Sequence, residues 1–221
     1  MPVLDVLTVD IVSDVVCPWC YIGKRRLETA LAQVRAMAPD LQINVRWHPF
    51  QLNPDLPREG ADRRTYLEAK FGGPVRAKEV YARVATAGAT VGIPFAFEAI
   101  ERQPNTLDAH RLIAWAQSRQ EGDADALVDR LFRAYFVDGR FIGDRDELVT
   151  LAAAAGFDAD DARLFLASEE LAADVAGADQ RARELGVSGV PFFIFNGKTA
   201  VSGAQTPDTL LAAIAQARAA A

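Results

Sequence analysis

Only two of the 221 residues are cysteine and only two are histidine. So few thiols cannot build a disulfide framework, which uses several pairs and closes long loops. A structural zinc site wants four ligands. Besides Cys17 and Cys20, only His48 and His110 are soft donors, and there is no second C-x-x-C, so no metal is expected. Basic residues are in deficit as well: 24 Lys and Arg against 30 Asp and Glu leave a net charge of −6. A protein that grips a duplex needs a basic face to neutralise phosphates, so nucleic acid is not an expected partner. Apolar runs fall well short of the ~20 residues that cross a bilayer, which removes the membrane. The first ten residues, MPVLDVLTVD, lack a basic n-region, carry Asp5 and Asp10, and show no small-residue cleavage site. They do not read as a secretory leader, and the expected location is the cytoplasm. What is present is ordinary for a globular chain: 50% hydrophobic and 24% charged residues. The length suffices for one sizeable core, or for one domain carrying a large insertion.

Residues 5–12, DVLTVDIV, are rich in β-branched side chains and read as a strand. A helix follows, with Pro18 in its first turn, where a missing N–H is no loss. Ile22, Leu27, Ala30, Leu31 and Val34 approximate a helical stripe, and the run Lys24-Arg25-Arg26 reads as a solvated face. QINVRWHPF then alternates, with Ile43, Val45 and Trp47 opposite Asn44, Arg46 and His48, as a second strand does. The loop around Asn53 to Gly60 ends this βαβ unit. From about Arg63 to Leu185 the periodicity is helical, with helices expected at 63–71, 75–90, 106–119, 123–137, 145–155, 160–167 and 169–185. No strand is expected there, and Thr106 looks like an N-cap. The tail returns to β signals. VPFFIF at 190–195 is a strand, Asn196-Gly197 a hairpin turn, and Thr199 to Ser202 the partner strand. A final helix runs from Thr206-Pro207 to about Ala219. The expected order is βαβ, a helical block, then ββα.

The two cysteines lie at the junction of the first strand and helix, spaced C-x-x-C. At a helix N-terminus, orphan N–H groups and the macrodipole stabilise a thiolate, lowering a thiol pKa from about 8.5 to roughly 3.5–7.5. The thiolate is the nucleophile of disulfide exchange. A second thiol one turn deeper can attack the mixed disulfide and release the product. Cys17 is therefore assigned as nucleophile and Cys20 as resolving thiol. The plainer alternative is a pair of small buried hydrophobes.

Three segments carry a resemblance: SDVVCPWCYIGKRRLE at 13–28, PNTLDAHRLIAWA at 104–116, and GVSGVPFFIFNGKTAVSGAQ at 186–205. With them the chain resembles the DsbA-like family, and within it the cytoplasmic FrnE-like branch. That branch is related to 2-hydroxychromene-2-carboxylate isomerase and kappa-class glutathione transferase. The resemblance implies an α/β, thioredoxin-like fold with a mixed sheet and a large all-helical insertion. The corresponding domains are residues 1–57 with 186–221, and an insertion at 58–185. It implies a dithiol–disulfide oxidoreductase or isomerase acting through Cys17 and Cys20 on protein disulfides, dithiols or glutathione. No bound cofactor is implied, glutathione being a co-substrate. Monomer and homodimer both stay open. The resemblance also implies a cis bond before Pro191, with the Val190 backbone exposed to an extended substrate. Pro18 and Trp19 would line the substrate site. His110 is either an ordinary helix-face histidine or a residue lining the site from the insertion. Gln205 is either part of a strand-to-helix turn or a contact to a glutathione γ-glutamyl group.

One departure stands out. Proteins of this kind often place a buried acid six residues before the first cysteine, and that position here is Ile11. Asp14 is nearer the pair, where it reads as a turn residue. Two rival functions remain: a glutathione-dependent isomerase or transferase on a small aromatic substrate, and a protein-binding holdase. The first of these uses serine at the position of Cys17, which this chain lacks.

Overall fold

The computed structural model describes residues 5–219. The outer ends of the expected 1–57 and 186–221 segments, and the first four residues of the stretch read as no leader, lie outside them. Strand β1 spans Val6–Ser13. Leu7, Val9 and Ile11 are almost fully buried, as suits a strand with neighbours on both edges and cover on its faces. A tight turn follows, in which Cys17 N donates to Asp14 O at 3.0 Å. Helix α1 then runs Pro18–Met37, with Pro18 in the first turn. Strand β2, Gln42–Pro49, returns parallel to β1 in the register Ile11 to Trp47. This is the expected βαβ unit.

The middle of the chain is mostly helical. It opens with β3, Ala61–Asp62. Then come α2 (Arg63–Phe71) and α3 (Pro74–Ala89). The two-residue strand β4, Arg102–Gln103, pairs antiparallel with β3. It corrects the expectation of no strand here; two residues carry no alternation to detect. Helices α4 (Leu107–Gln117), α5 (Ala124–Phe136), α6 (Arg145–Ala154), α7 (Ala159–Ala167) and α8 (Ala172–Glu184) complete the block. Four acids find a use as N-caps: Asp62, Asp123, Asp144 and Asp158 each accept backbone N–H bonds in the first turn of α2, α5, α6 and α7. Thr106 occupies the N-cap position of α4 but makes no capping bond. Asn105 Oδ1 accepts from Leu107 N at 2.9 Å instead. Helix α8 begins three residues later than the periodicity implies. The buried Arg111 guanidinium takes the carbonyls of Ser168 and Glu170, at 2.8 and 2.7 Å, and holds that segment out of the helix.

The tail adds β5 (Phe192–Phe195), β6 (Thr199–Ser202) and α9 (Pro207–Ala219). The sheet order is β2-β1-β5-β6, with β5 antiparallel to both neighbours, so the sheet is mixed. Strand β5 starts at Phe192 rather than Val190, because the Val190–Pro191 peptide lies ahead of the ladder.

Sheet and helical block share one apolar core. Tyr21 of α1 stacks on Phe132 of α5 with ring centroids 5.1 Å apart. Lys24 is not on a solvated face as its sequence context implies. It is buried and bonded to Glu28, and to Asp125 of α5 at 3.0 Å. Asp125 also accepts from Trp47 Nε1 at 3.1 Å, so one carboxylate joins α1, β2 and α5. The edge of β2 is closed by a side chain. Gln117 of α4 accepts from Trp47 N at 2.7 Å and donates to Trp47 O at 2.9 Å, as a neighbouring strand would.

Gly23 fixes how closely α1 meets the tail. A Cβ there would lie 2.8 Å from Pro191 Cγ and 3.1 Å from Phe193 Cζ. Alanine gains about 1 kcal/mol of helix propensity but overpacks rigid neighbours, which costs about 1–3 kcal/mol. Gly23→Ala is expected to lower stability by about 1 kcal/mol net, read from denaturant unfolding. An unchanged or raised midpoint would contradict this packing.

Candidate functional site

Cys17 is the N-cap of α1, and Cys20 sits in its first turn. The backbone turns tightly there: Cys20 N donates to Cys17 O at 3.0 Å. Both cysteines are free thiols, and both are buried, Cys17 at 5% and Cys20 at 1% exposure. The Val190–Pro191 peptide is cis. Its Val190 carbonyl accepts a hydrogen bond from Cys17 Sγ at 3.6 Å. The tail thus brings Val190 and Pro191 against the first cysteine across 173 residues of sequence.

Above Cys17 is a recess of about 190 Å³. Pro18 and Trp19 form one side of it, and Trp19 is 39% exposed. The helical block supplies the other side through Tyr66, Leu67, Tyr81 and Val84. Sequence reasoning placed no residue of α2 or α3 at the site. Nothing local marks them, because their role comes from docking over α1. Lys70 lines the same rim and donates to Tyr66 Oη at 2.7 Å.

His110 does not line this recess. It is buried, with Nε2 3.2 Å from Asp14 Oδ1. Asp14 is fully buried, and its other oxygen accepts from Leu52 N at 2.8 Å. Asp14 is therefore both the expected turn residue and a buried carboxylate shared by three segments. Gln205 is exposed, and its Nε2 donates to Ser202 O at 3.0 Å, closing its own turn. His48 is half-exposed on β2, where its Nε2 lies 2.7 Å from Asp10 Oδ1. Arg46 holds the same carboxylate at 2.8 Å. Burial alone would raise the Asp10 pKa, but these bonds outweigh it and hold it below the ordinary value.

The two thiols have unlike surroundings. Burial pushes the Cys20 thiol well above its ordinary pKa, and the neighbouring Cys17 adds to the rise. Ser13 and the Asp14 backbone pull weakly the other way. Among the described residues no group of three or more His, Cys, Asp or Glu could hold a metal ion. No described helix is long and apolar enough to cross a membrane.

A four-stranded mixed sheet with a C-x-x-C helix facing a cis-proline defines a thioredoxin-fold protein. The chain belongs to the DSBA-like thioredoxin domain family, which matches residues 8–215. It is similar to a probable DsbA oxidoreductase of Streptomyces coelicolor, SCO1869. The two are 34% identical, with 96% of this chain and 89% of that one covered and a TM-score of 0.83. It is 26% identical over 211 residues to the uncharacterized protein YwbO of Bacillus subtilis, covering 93% of this chain and 94% of YwbO. It also shares its fold with DsbM of Pseudomonas aeruginosa, a cytosolic disulfide reductase solved with GSH. There the identity is 20%, coverage is 96% of both chains, and the TM-score is 0.59.

The raised Cys20 pKa has a direct readout. Only the thiolate alkylates, and each pKa unit above the ambient pH costs about a tenfold rate. Iodoacetamide applied to the reduced native protein near neutral pH is expected to label Cys17 first, with Cys20 at least about tenfold slower. Equal labelling of both thiols, followed by peptide mass mapping, would contradict this asymmetry.

Proposed function

We propose that this chain is a thiol–disulfide oxidoreductase in which Cys17 attacks and Cys20 resolves. The observation that carries the reading is the meeting of three groups. Cys17 is at the helix N-cap, Cys20 lies one turn deeper, and the Val190 carbonyl stands 3.6 Å from the Cys17 sulfur beside the cis Pro191.

The Cys17 thiolate attacks one sulfur of a substrate disulfide. The substrate S–S bond breaks, and its electron pair leaves on the departing thiolate. A mixed disulfide to Cys17 forms. Cys20 sulfur then attacks Cys17 sulfur, the protein disulfide closes, and the second substrate thiol is released. The substrate is reduced and the protein oxidised, and a reducing thiol such as glutathione returns the pair to two thiols. In a reducing cytoplasm, the location this reading assigns, the pair rests reduced and works toward reduction or isomerisation. The reading places the chain in the FrnE-like branch, with protein disulfides or glutathione as partners and no bound cofactor.

The size of the recess supports this over a glutathione-dependent isomerase or transferase. Pockets that enclose a whole small ligand hold roughly 300–1,000 Å³. About 190 Å³ suits one disulfide-bearing side chain reaching Cys17 more than glutathione together with an aromatic substrate. Two thiols in the redox positions point the same way. Substrate orientation falls to the Val190 backbone and to Trp19 and Pro18 at the rim.

Insulin reduction with glutathione as donor tests the reading. Cys17→Ser is expected to fall to the uncatalysed rate, and Cys20→Ser to accumulate mixed disulfides at Cys17. Equal rates for wild type and Cys17→Ser overturn it. Tight glutathione binding without any change in thiol redox state would point instead to the isomerase class. Suppression of client aggregation that survives loss of both cysteines would point to a holdase.

A further inference from the structure

The recess over Cys17 is lined by neutral side chains with one exception. Apart from Cys17 itself, Lys70 is the one ionisable group of unlike character there: Asn53 and Gln103 are amides, and Trp19, Tyr66 and Tyr81 are aromatic. It is also the one cation among the described residues that border the recess. Its sign runs against that of the whole chain, whose net charge is −6. Among the described residues no carboxylate pairs with it.

The Lys70 ammonium is anchored at the rim. Its Nζ donates to Tyr66 Oη at 2.7 Å and stands 5.3 Å from the centroid of the Tyr66 ring. Tyr66 Oη in turn donates to Asn53 Oδ1, on the loop after β2. The phenol oxygen is thus an acceptor toward Lys70. An ammonium has three N–H donors, and one is spent on Tyr66, which leaves two for water or a ligand. Lys70 also lies in the last turn of α2, where a cation complements the helix C-terminus. That role requires only a cation in the last turn. It does not require one fixed to residues that line the Cys17 recess. A carboxylate close to a substrate disulfide brings a second negative charge toward the attacking thiolate. Like charges disfavour that encounter, and a cation beside them offsets it.

We propose that Lys70 is a specificity-determining residue for substrates with a carboxylate close to the disulfide, and that its ammonium binds this carboxylate while Cys17 attacks. The inference deepens the thiol–disulfide reading above and rests on it. No covalent bond to Lys70 forms or breaks. The exchange of sulfurs is the one set out for Cys17 and Cys20, and Lys70 contributes charge and hydrogen bonds alone. Two sources supply this chemistry. One is a tripeptide disulfide, oxidised glutathione. The other is a protein disulfide with an acidic residue beside the half-cystine.

Two aromatic disulfides of similar size test the charge. Dithiobis(nitrobenzoate) carries a carboxylate on each ring, and dithiodipyridine is neutral near neutral pH. Each is reacted with the reduced protein at about 0.1 M ionic strength, where a screening length of about 10 Å keeps Lys70 in reach of the recess and mutes remote charges. The readout is the ratio of the two second-order rates, from which any change in Cys17 reactivity common to both cancels. Lys70 is exposed, so its variants change charge rather than packing. One exposed ion pair is worth up to about fivefold, so Lys70→Gln is expected to lower the anionic-to-neutral ratio about threefold and Lys70→Glu about tenfold. Lys70→Arg, which keeps the charge, is expected to hold the ratio within about twofold. An unchanged ratio in Lys70→Gln and Lys70→Glu, or an equal fall in Lys70→Arg, overturns the proposal. Single-turnover oxidation of the reduced protein then separates the sources, using oxidised glutathione and two cystine peptides that differ only in Asp or Asn beside the half-cystine. A Lys70→Gln loss with oxidised glutathione assigns Lys70 to that tripeptide. A loss with the Asp peptide but not its Asn twin assigns it to acidic protein segments, and a loss with neither overturns the proposal. If neither aromatic reagent converts wild-type Cys17 and Cys20 to a disulfide, the thiol–disulfide reading itself fails and the proposal falls with it.

Discussion

The carboxylate of Asp14 ties together three parts of the chain that meet nowhere else in sequence. Its own backbone carbonyl closes the turn into α1 by accepting from Cys17 N. One carboxylate oxygen takes Leu52 N from the loop after β2, and the other meets His110 of the helical block. A fully buried carboxylate without such partners would cost several kcal/mol. The same bonds that satisfy it therefore force the strand–helix junction, the loop and the block into one arrangement. Cys17 and Cys20 are set by that arrangement, because the turn that presents them begins at Asp14.

The helical block is consequently packed into one unit with the segment that carries the cysteines rather than being an appendage. Lys24 on α1 loses its water and recovers through Glu28 and Asp125. Asp125 in turn binds Trp47 of β2. Gln117 caps the edge of that strand from α4. Lys24 is 3% exposed while Glu28 and Asp125 are 40% and 47% exposed, so truncating the carboxylates would leave a buried cation without partners. The apolar contacts run in parallel, through Tyr21 against Phe132 and Phe136. The wall of the recess over Cys17 joins this cluster through Tyr81, whose ring meets Phe97, which in turn meets Phe136.

Those parts of the fold that depend on neighbours in sequence were legible beforehand. The strand–helix junction at Pro18, the Asn196-Gly197 hairpin and the extents of most helices follow from local chemistry. The parts that depend on remote partners were not. Lys24 reads as one of three cations on a helix face until Asp125, 101 residues away, draws it inward. The late start of α8 at Ala172 depends on Arg111, 57 residues from Ser168. Arg102–Gln103 becomes a strand only through Ala61–Asp62. At the site, Cys17 and Cys20 were legible from spacing alone, and Val190–Pro191 from family resemblance. His110 was legible as a residue of interest, but its partner Asp14 lies 96 residues away and its direction could not be read.

An acid at the junction rather than in the sheet has different surroundings to satisfy it. Ile11 sits mid-strand, paired in register with Trp47 and Phe193. An acid there would have to be satisfied within the sheet's apolar centre, where no neighbouring side chain of those pairs is charged. Asp14 lies three residues further on, past the end of β1, where a loop N–H and an imidazole from another segment reach it. Its imidazole partner therefore comes from the helical block, on α4. Of the two thiols, Cys17 lines the recess, while burial in the core pushes the Cys20 thiol well above its ordinary pKa. The strand–helix junction that presents both cysteines is thus held by the joint between the sheet and the helical block.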